Sequence, residues 1–160
     1  MRILGIDPAL TVTGYGVIDA TANKVVLVEA GVIKTSCRQP MHLRLEKIHQ
    51  AVSSLISDTK PEIMVLEKLY AHYRHPTTAF FLGQARGVIC LACAQQGVML
   101  VEYAATRVKK AITGRGLASK YQIQRMVSKT FSLNALPRYN DVTDALALAI
   151  AHSSIARAYR

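Results

Sequence analysis

Acids are what this chain is short of: ten Asp and Glu stand against twenty Lys and Arg in 160 residues, a formal charge of +10. The shortage is local as well as global. From Lys68 to Asn140 there are eleven basic residues and one acid, Glu102. A solvated surface normally mixes the two signs, so a stretch this one-sided points to a polyanionic partner. Cysteine is also scarce, with three in all, which excludes a disulfide scaffold. Cys90-x-x-Cys93 lies in an apolar helical stretch without a second Cys or His pair at zinc spacing, so core packing is its expected role. Tryptophan is absent. Long apolar runs are missing too: the longest, around Ala79 to Ala94, is broken by Gly83, Gln84, Arg86 and Gly87, so no membrane association is expected. The N-terminus enters a strand without a signal-peptide layout, and a cytoplasmic location is expected. There is no internal repeat, low-complexity segment or linker, so residues 1–160 read as a single domain.

What is present is a regular alternation of strands and helices. Ile3 to Asp7, Thr13 to Asp19 and Lys24 to Lys34 read as three strands. They are joined by connections short enough to make antiparallel neighbours, the first through a turn that can use Gly14 and Gly16. Pro40 opens a helix to about Asp58, with Leu45, Ile48, Val52 and Leu55 at amphipathic spacing. Glu62 to Leu69 is a fourth strand, Thr77 to Gln96 a helix apolar nearly all round, and Val98 to Tyr103 a fifth strand. Helices follow at about Thr106–Ile112, Ser119–Leu133 and Asp141–Ala158. A meander followed by helix-linked, hence parallel, strands gives an α/β fold: one mixed sheet with helices on both faces.

Four of the few acids stand in unusual places. Asp7 ends the apolar strand Ile3-Leu4-Gly5-Ile6, and a lone carboxylate survives in apolar surroundings only when paired, hydrogen-bonded or metal-bound. Glu67 ends the fourth strand in the same way, on one face with Ile63 and Val65 by alternation. Asp141 and Asp144 open an Ala/Leu-rich helix and share a face, being three residues apart. Each has a plain structural explanation: a helix cap, a favourable interaction with the helix dipole, or a hydrogen-bonded strand end. Together they say more. If the first and fourth strands are adjacent and parallel, Asp7 and Glu67 meet where sheets of this kind bind ligands, and a helix crossing that end adds the other two. Four close carboxylates repel unless cations neutralise them. Oxygen donors without His or Cys select Mg²⁺ or Mn²⁺. In a basic protein, such a cage suits phosphodiester chemistry on nucleic acid.

Gly5-Ile6-Asp7-Pro8, Thr13-Gly14-Tyr15-Gly16, Glu67 with Tyr70, Leu82-Gly83-Gln84-Ala85-Arg86-Gly87, Glu102-Tyr103-Ala104 and Asp141-x-x-Asp144-Ala145-Leu146-Ala147 run in order along nearly the whole chain. Together they resemble the RuvC-type Holliday-junction resolvases of the ribonuclease H-like superfamily. The resemblance implies a five-stranded sheet in 3-2-1-4-5 order, a homodimer, and two Mg²⁺ per active site with Mn²⁺ as a substitute. It also implies paired nicks in a four-way DNA junction during recombination and repair, beside the branch-migration proteins RuvA and RuvB. The family's catalytic, metal-binding carboxylates map onto Asp7, Glu67, Asp141 and Asp144. Lys109 and Lys120 match basic positions near the site, and Lys120 is placed to stabilise charge on the cleaved phosphate.

The basic stretch supplies further candidates. Arg107, Lys109, Lys110, Arg115 and Lys120 lie in a segment without an acid, around Gly114-x-Gly116. The order of a phosphate-binding nucleotide loop is not met. A glycine-hinged loop into a helix capped by Ser119, with Gln122 completing a capping box, is expected to face DNA phosphates. Lys110 is expected on a solvated face. Tyr70, Tyr73 and Arg74, with His72 and His75 nearby, place aromatics among cations just beyond Glu67, as a protein needs to stack unpaired bases. The Thr77–Gln96 helix is expected to be buried in the core or against a second subunit, with Gly83 and Gly87 allowing close approach. Two rival readings share these features: a ribonuclease H cutting RNA in hybrids, and a catalytically inactive DNA-binding module.

Overall fold

The computed structural model describes residues 1–69 and 76–158. Strands β1 (Arg2–Asp7), β2 (Val12–Ala20) and β3 (Val25–Lys34) form an antiparallel meander. Helix α1 (Met41–Thr59) then leads to β4 (Ile63–Glu67), α2 (Pro76–Gln95) to β5 (Met99–Tyr103), and α3 (Ala105–Thr113), α4 (Lys120–Phe131) and α5 (Asn140–Ala158) follow. The sheet order is β3-β2-β1-β4-β5, with β1–β4 and β4–β5 parallel. The expected fold is the observed one. The fourth strand ends at Glu67 and not at Leu69.

The sheet divides the core in two. Leu4, Ile6, Met64 and Leu66 point to α1 and α2, meeting Ile48, Val52, Ala85, Ile89 and Cys93. Ile3 and Val65 point the other way, to Val108 of α3, Ile123 and Val127 of α4, and the run Leu146–Ala151 of α5. Side chains alternate across a strand, so Asp7 and Glu67 fall on the α5 face with Ile3 and Val65.

The glycines of the first hairpin do not make its turn. Gly14 and Gly16 lie within β2, paired with Asp7 and Gly5 of β1, and the turn is made by the residues after Asp7. A Cβ on Gly5 would lie 2.0 Å from the Ala145 carbonyl oxygen, one on Gly14 2.1 Å from the Asp141 carbonyl oxygen, and one on Gly16 2.4 Å from Leu146 Cδ2. The three bare positions form a floor on which α5 rests directly, and this brings its acidic first turn to the end of β1. The turn after Asp7 is held from below. Buried Arg44 donates to the Leu10 carbonyl (3.2 Å) and to Thr35 Oγ1 (2.8 Å), and buried Thr13 donates to the Ala9 carbonyl (2.6 Å).

Helix α2 lies on the opposite layer and is only half covered. Ala85, Ile89, Ala92 and Cys93 are buried, whereas Phe80 is 62% and Leu91 50% exposed. Its Thr77–Gln95 part is long and apolar enough, by length and composition alone, to cross a membrane. The expectation that no apolar run reaches that length is corrected here: the interrupting glycines do not lower hydropathy enough to exclude it. The buried face packs on β4 and α1, and carries Arg86.

Candidate active site

Asp7, Glu67, Asp144, Lys109 and Lys120 line one open pocket of about 300 Å³, walled by Ala105, Val108, Ile123, Ala147 and Leu148. Each acid arrives by a different element. β1 and β4 run parallel in register from Ile3↔Ile63 to Ile6↔Leu66, so their ends carry Asp7 and Glu67 side by side. The glycine floor lowers the start of α5 onto them. Asp141 is not among the lining residues. It sits one turn earlier, its backbone against Gly14, yet close enough to act on Asp7 electrostatically.

The crowding is visible in the protonation of Asp7. Burial, then the charges of Asp144, Asp141 and Glu67, push its pKa up to about 7, with Lys120 opposing. Glu67 stands at the pocket mouth and is exposed overall. Its carboxyl is nevertheless crowded by protein, and this desolvation, with Asp144, raises its pKa against the pull of Lys109 and Arg86. Lys120 Nζ donates to Asp144 Oδ2 at 2.7 Å, and that hydrogen bond raises the lysine's pKa and keeps it cationic. Its helix begins as expected: Ser119 Oγ accepts from the Gln122 amide (3.2 Å), and Gln122 Oε1 from the Ser119 amide (2.8 Å).

A divalent cation fits the chemistry of this pocket. Its anionic donors are carboxylate oxygens alone, and burial, followed by their mutual repulsion, raises the pKa of Asp7 to about 7. A dication would relieve that repulsion. Among the described residues no three acids, His or Cys already converge as a chelating cluster, and the Lys120 ammonium partly takes the balancing role by pairing with Asp144.

The remaining candidates divide. Lys109 is half-buried at the pocket and Lys110 is exposed, as expected for each. Arg107 is exposed and lies over the Tyr103 ring, 5.2 Å from its centroid, outside the acidic pocket. Arg115 lines a different and larger groove of about 1090 Å³ on the outer side of α4, with Tyr121, Arg125 and Lys129. That groove is lined by no carboxylate, whereas the smaller pocket is lined by three. The expectations for Tyr70, Tyr73, Arg74, His72 and His75 lie outside the described residues. The three cysteines are free; Cys93 is buried and donates to the Val98 carbonyl, a packing role.

Sequence reasoning passed over Arg86. Its side chain, 9% exposed, donates to the Glu67 main-chain oxygen at 2.8 Å and forms an ion pair with Glu102. Two sequence signals could have found it: Arg86 is a single cation in a helix that is otherwise largely apolar, and it stands within the Leu82–Gly87 stretch that carries the resemblance.

Comparison with known proteins bears on the whole arrangement. A family model described as "Crossover junction endodeoxyribonuclease RuvC" matches residues 3–152. A protein of that name from Brevibacillus brevis is 44% identical over 153 residues, 96% of this chain and 92% of the relative. The solved structure of Thermus thermophilus RuvC superposes with a TM-score of 0.92 at 33% identity, covering 99% of this chain and 97% of that one. T. thermophilus RuvC in complex with Holliday junction substrate gives 0.90 at 31% identity, covering 99% and 96%. The chain belongs to the RuvC family of crossover junction endodeoxyribonucleases, which use divalent metal.

Proposed function

We propose that this chain is a structure-selective DNA endonuclease that resolves four-way junctions by paired nicks, with Asp7, Glu67, Asp141 and Asp144 as its metal-binding catalytic carboxylates. The observation that carries the reading is the convergence of Asp7, Glu67 and Asp144 on one pocket beside Lys109 and Lys120. The kinship of the chain with a protein solved on Holliday junction substrate supplies the DNA. Residues 1–160 act as one nuclease domain.

Asp7, Glu67, Asp141 and Asp144 would hold Mg²⁺, two ions per site with Mn²⁺ as substitute, through these hard oxygen donors; the ions would supply activation of a water and stabilisation of a leaving 3′ oxygen. The protein's own contribution is placement. Asp7 stands on a central strand, and Glu67 and Asp144 approach from either side. Lys120, paired with Asp144, would be free to place its ammonium at the scissile phosphate, where negative charge develops, with Asp144 held as a metal ligand. Lys109 supports it from α3. Arg107, Arg115, Tyr73 and Arg74 would hold the flanking backbone, and Tyr70 would stack on an unpaired base.

Resolution needs two such sites. Soluble oligomers are most often two-fold dimers, and the exposed Phe80 and Leu91 on α2, beside bare Gly83 and Gly87, offer an apolar face for a second copy. Action alongside RuvA and RuvB, in the cytoplasm where the chromosome is, belongs to the same proposal by kinship. The test is a synthetic four-way junction with and without Mg²⁺. Symmetric paired nicks only with the ion, and little cutting of linear duplex, are expected. Degradation of RNA in hybrids with junctions left intact would select the ribonuclease H reading, and metal-independent binding alone would select the inactive module.

A further inference from the structure

The last peptide of β4 is held by more than its strand neighbours. On the β5 side, Leu66 pairs with Glu102 and Glu67 with Tyr103, and the Lys68 amide donates to the Tyr103 carbonyl at 2.8 Å. β5 is the edge of the sheet, and its end is fastened on both faces. The Tyr103 hydroxyl meets His152 Nδ1 of α5 at 2.8 Å, while Glu102 is paired with Arg86 of α2. The second tine of the Arg86 fork donates to the Glu67 carbonyl oxygen at 2.8 Å. Burying a guanidinium is costly, and an apolar side chain of similar volume would often serve stability as well. What arginine adds is a rigid planar fork that can serve two acceptors at a fixed angle.

We propose that Arg86 is a positioning residue for Glu67, gripping its carbonyl from α2 while Glu102 holds the guanidinium, so that α2 sets where the Glu67 carboxylate stands. The inference rests on the reading of Glu67 as a metal ligand. It also links two parts of the molecule that the sequence keeps apart. Arg86 faces the sheet, whereas Gly83 and Gly87 on the same helix meet no other described residue, so whatever covers the outer face of α2 bears on the helix that holds Glu67.

The decisive measurement is Mn²⁺ affinity of the metal-free protein, read by electron paramagnetic resonance, beside the Mg²⁺ dependence of junction nicking. Partners that orient metal ligands typically govern about 10–100-fold in affinity or activity. Arg86→Gln should weaken Mn²⁺ binding by that factor while junction affinity without divalent ions stays within about twofold. Arg86→Lys should recover only part, since one ammonium does not reproduce the fork. Glu102→Gln should lose less, in the same direction. The double variant Arg86→Gln/Glu67→Gln should bind Mn²⁺ no worse than Glu67→Gln alone, because Arg86 acts through Glu67. Wild-type Mn²⁺ affinity in folded Arg86→Gln, or a loss that adds in full to that of Glu67→Gln, overturns the proposal. If Arg86→Gln fails to fold, Glu102→Gln decides, and an unchanged affinity there overturns it as well. Wild-type Mn²⁺ binding by Glu67→Gln alone would overturn the ligand reading beneath the proposal, an outcome distinct from failure of Arg86.

Discussion

Helices α2 and α5 carry the same sequence signal and meet opposite fates. Each is about twenty residues of mostly small and apolar side chains without a clear polar stripe. α5 is buried without a break from Ala145 to Ser153, while α2 leaves Phe80 and Leu91 in the open. The difference lies in where the glycines are. Those serving α5 belong to the strands beneath it, Gly5, Gly14 and Gly16, and are already filled by the helix; those of α2 are its own, Gly83 and Gly87, and among the described residues meet nothing within 4 Å. One close approach is satisfied inside the fold and builds the acidic pocket. The other is left uncovered among the described residues. An apolar helix is therefore not explained by composition alone: the small residues opposite it show whether its packing is complete.

The α5 side should be the more fragile in function. Asp7→Asn, Glu67→Gln and Asp144→Asn each keep shape while removing a carboxylate, so cleavage of a four-way junction in Mg²⁺ should fall on the order of a thousandfold or more. Junction binding should persist or tighten slightly, since negative charge beside the phosphate is lost. Strand-specific nicking and gel-shift assays separate the two effects, and a variant that nicks at the wild-type rate removes its residue from the site.

The same contrast can be put to the glycines. Gly5→Ala or Gly14→Ala drives a methyl into the backbone of α5, at 2.0 and 2.1 Å respectively. Neither strand nor helix backbone can yield without shifting the sheet, so the cost should reach or exceed about 3 kcal/mol. A fall in melting temperature of roughly 10 °C would follow for a domain of this size. Gly83→Ala on α2 meets no atom of the described residues and should be neutral or favourable to the lone subunit. Equal destabilisation on the two helices would break the comparison.

Asp7 gives an intermediate effect with a definite sign. Its pKa is raised from 3.8 to about 7 in the folded, metal-free protein. Below pH ~4 the group is protonated in both states and costs nothing. As pH rises toward 7 the unfolded chain ionises first, so stability falls, and above the folded value the loss is complete. That rise in pKa corresponds to a loss on the order of 4 kcal/mol. Asp7→Asn should therefore melt several degrees above wild type at pH 8 in chelator, with the gap closing toward pH 4. Thermal unfolding across that range checks it, and a gap independent of pH would show that the burial and crowding of the Asp7 carboxylate are not the cause.

These effects differ in how far the sequence announced them. Asp7 and Glu67 were legible because a strand has a period of two and a carboxylate at its apolar end is conspicuous; Asp141 and Asp144 were legible from helical spacing. The sheet order came from the resemblance, since strand and helix patterns gave only a mixed sheet. The glycine floor was not legible. Gly14 and Gly16 look like turn residues until α5 is known to cross β1 and β2. Arg44 and Arg86 were hidden for a related reason. Their principal partners include main-chain carbonyls, which every residue possesses and no sequence pattern marks. Arg107 and Arg115 were grouped with Lys109 and Lys120 because they are neighbours in sequence, yet Arg107 on α3 lies over Tyr103 and Arg115, in the connection between α3 and α4, lines a different groove.

The smallest effect concerns the outer face of α2. Replacing a solvent-facing helical glycine with alanine removes backbone freedom from the unfolded chain and is worth about 0.5–1 kcal/mol, so Gly87→Ala should slightly stabilise the isolated subunit. In a dimer packed through this face the added methyl would push the two helices apart. Gly83→Leu should do so more strongly. Sedimentation equilibrium should then show less dimer for Gly83→Leu at a concentration where wild type is dimeric, with an unchanged melting point at dilution. On a junction labelled in both strands, the two nicks should lose their pairing, leaving singly nicked product. Binding through the unaltered acidic pocket would still permit the first cut. If Gly83→Leu leaves both dimer content and paired nicking untouched, the second copy docks elsewhere, and the bare glycines of α2 serve some other contact.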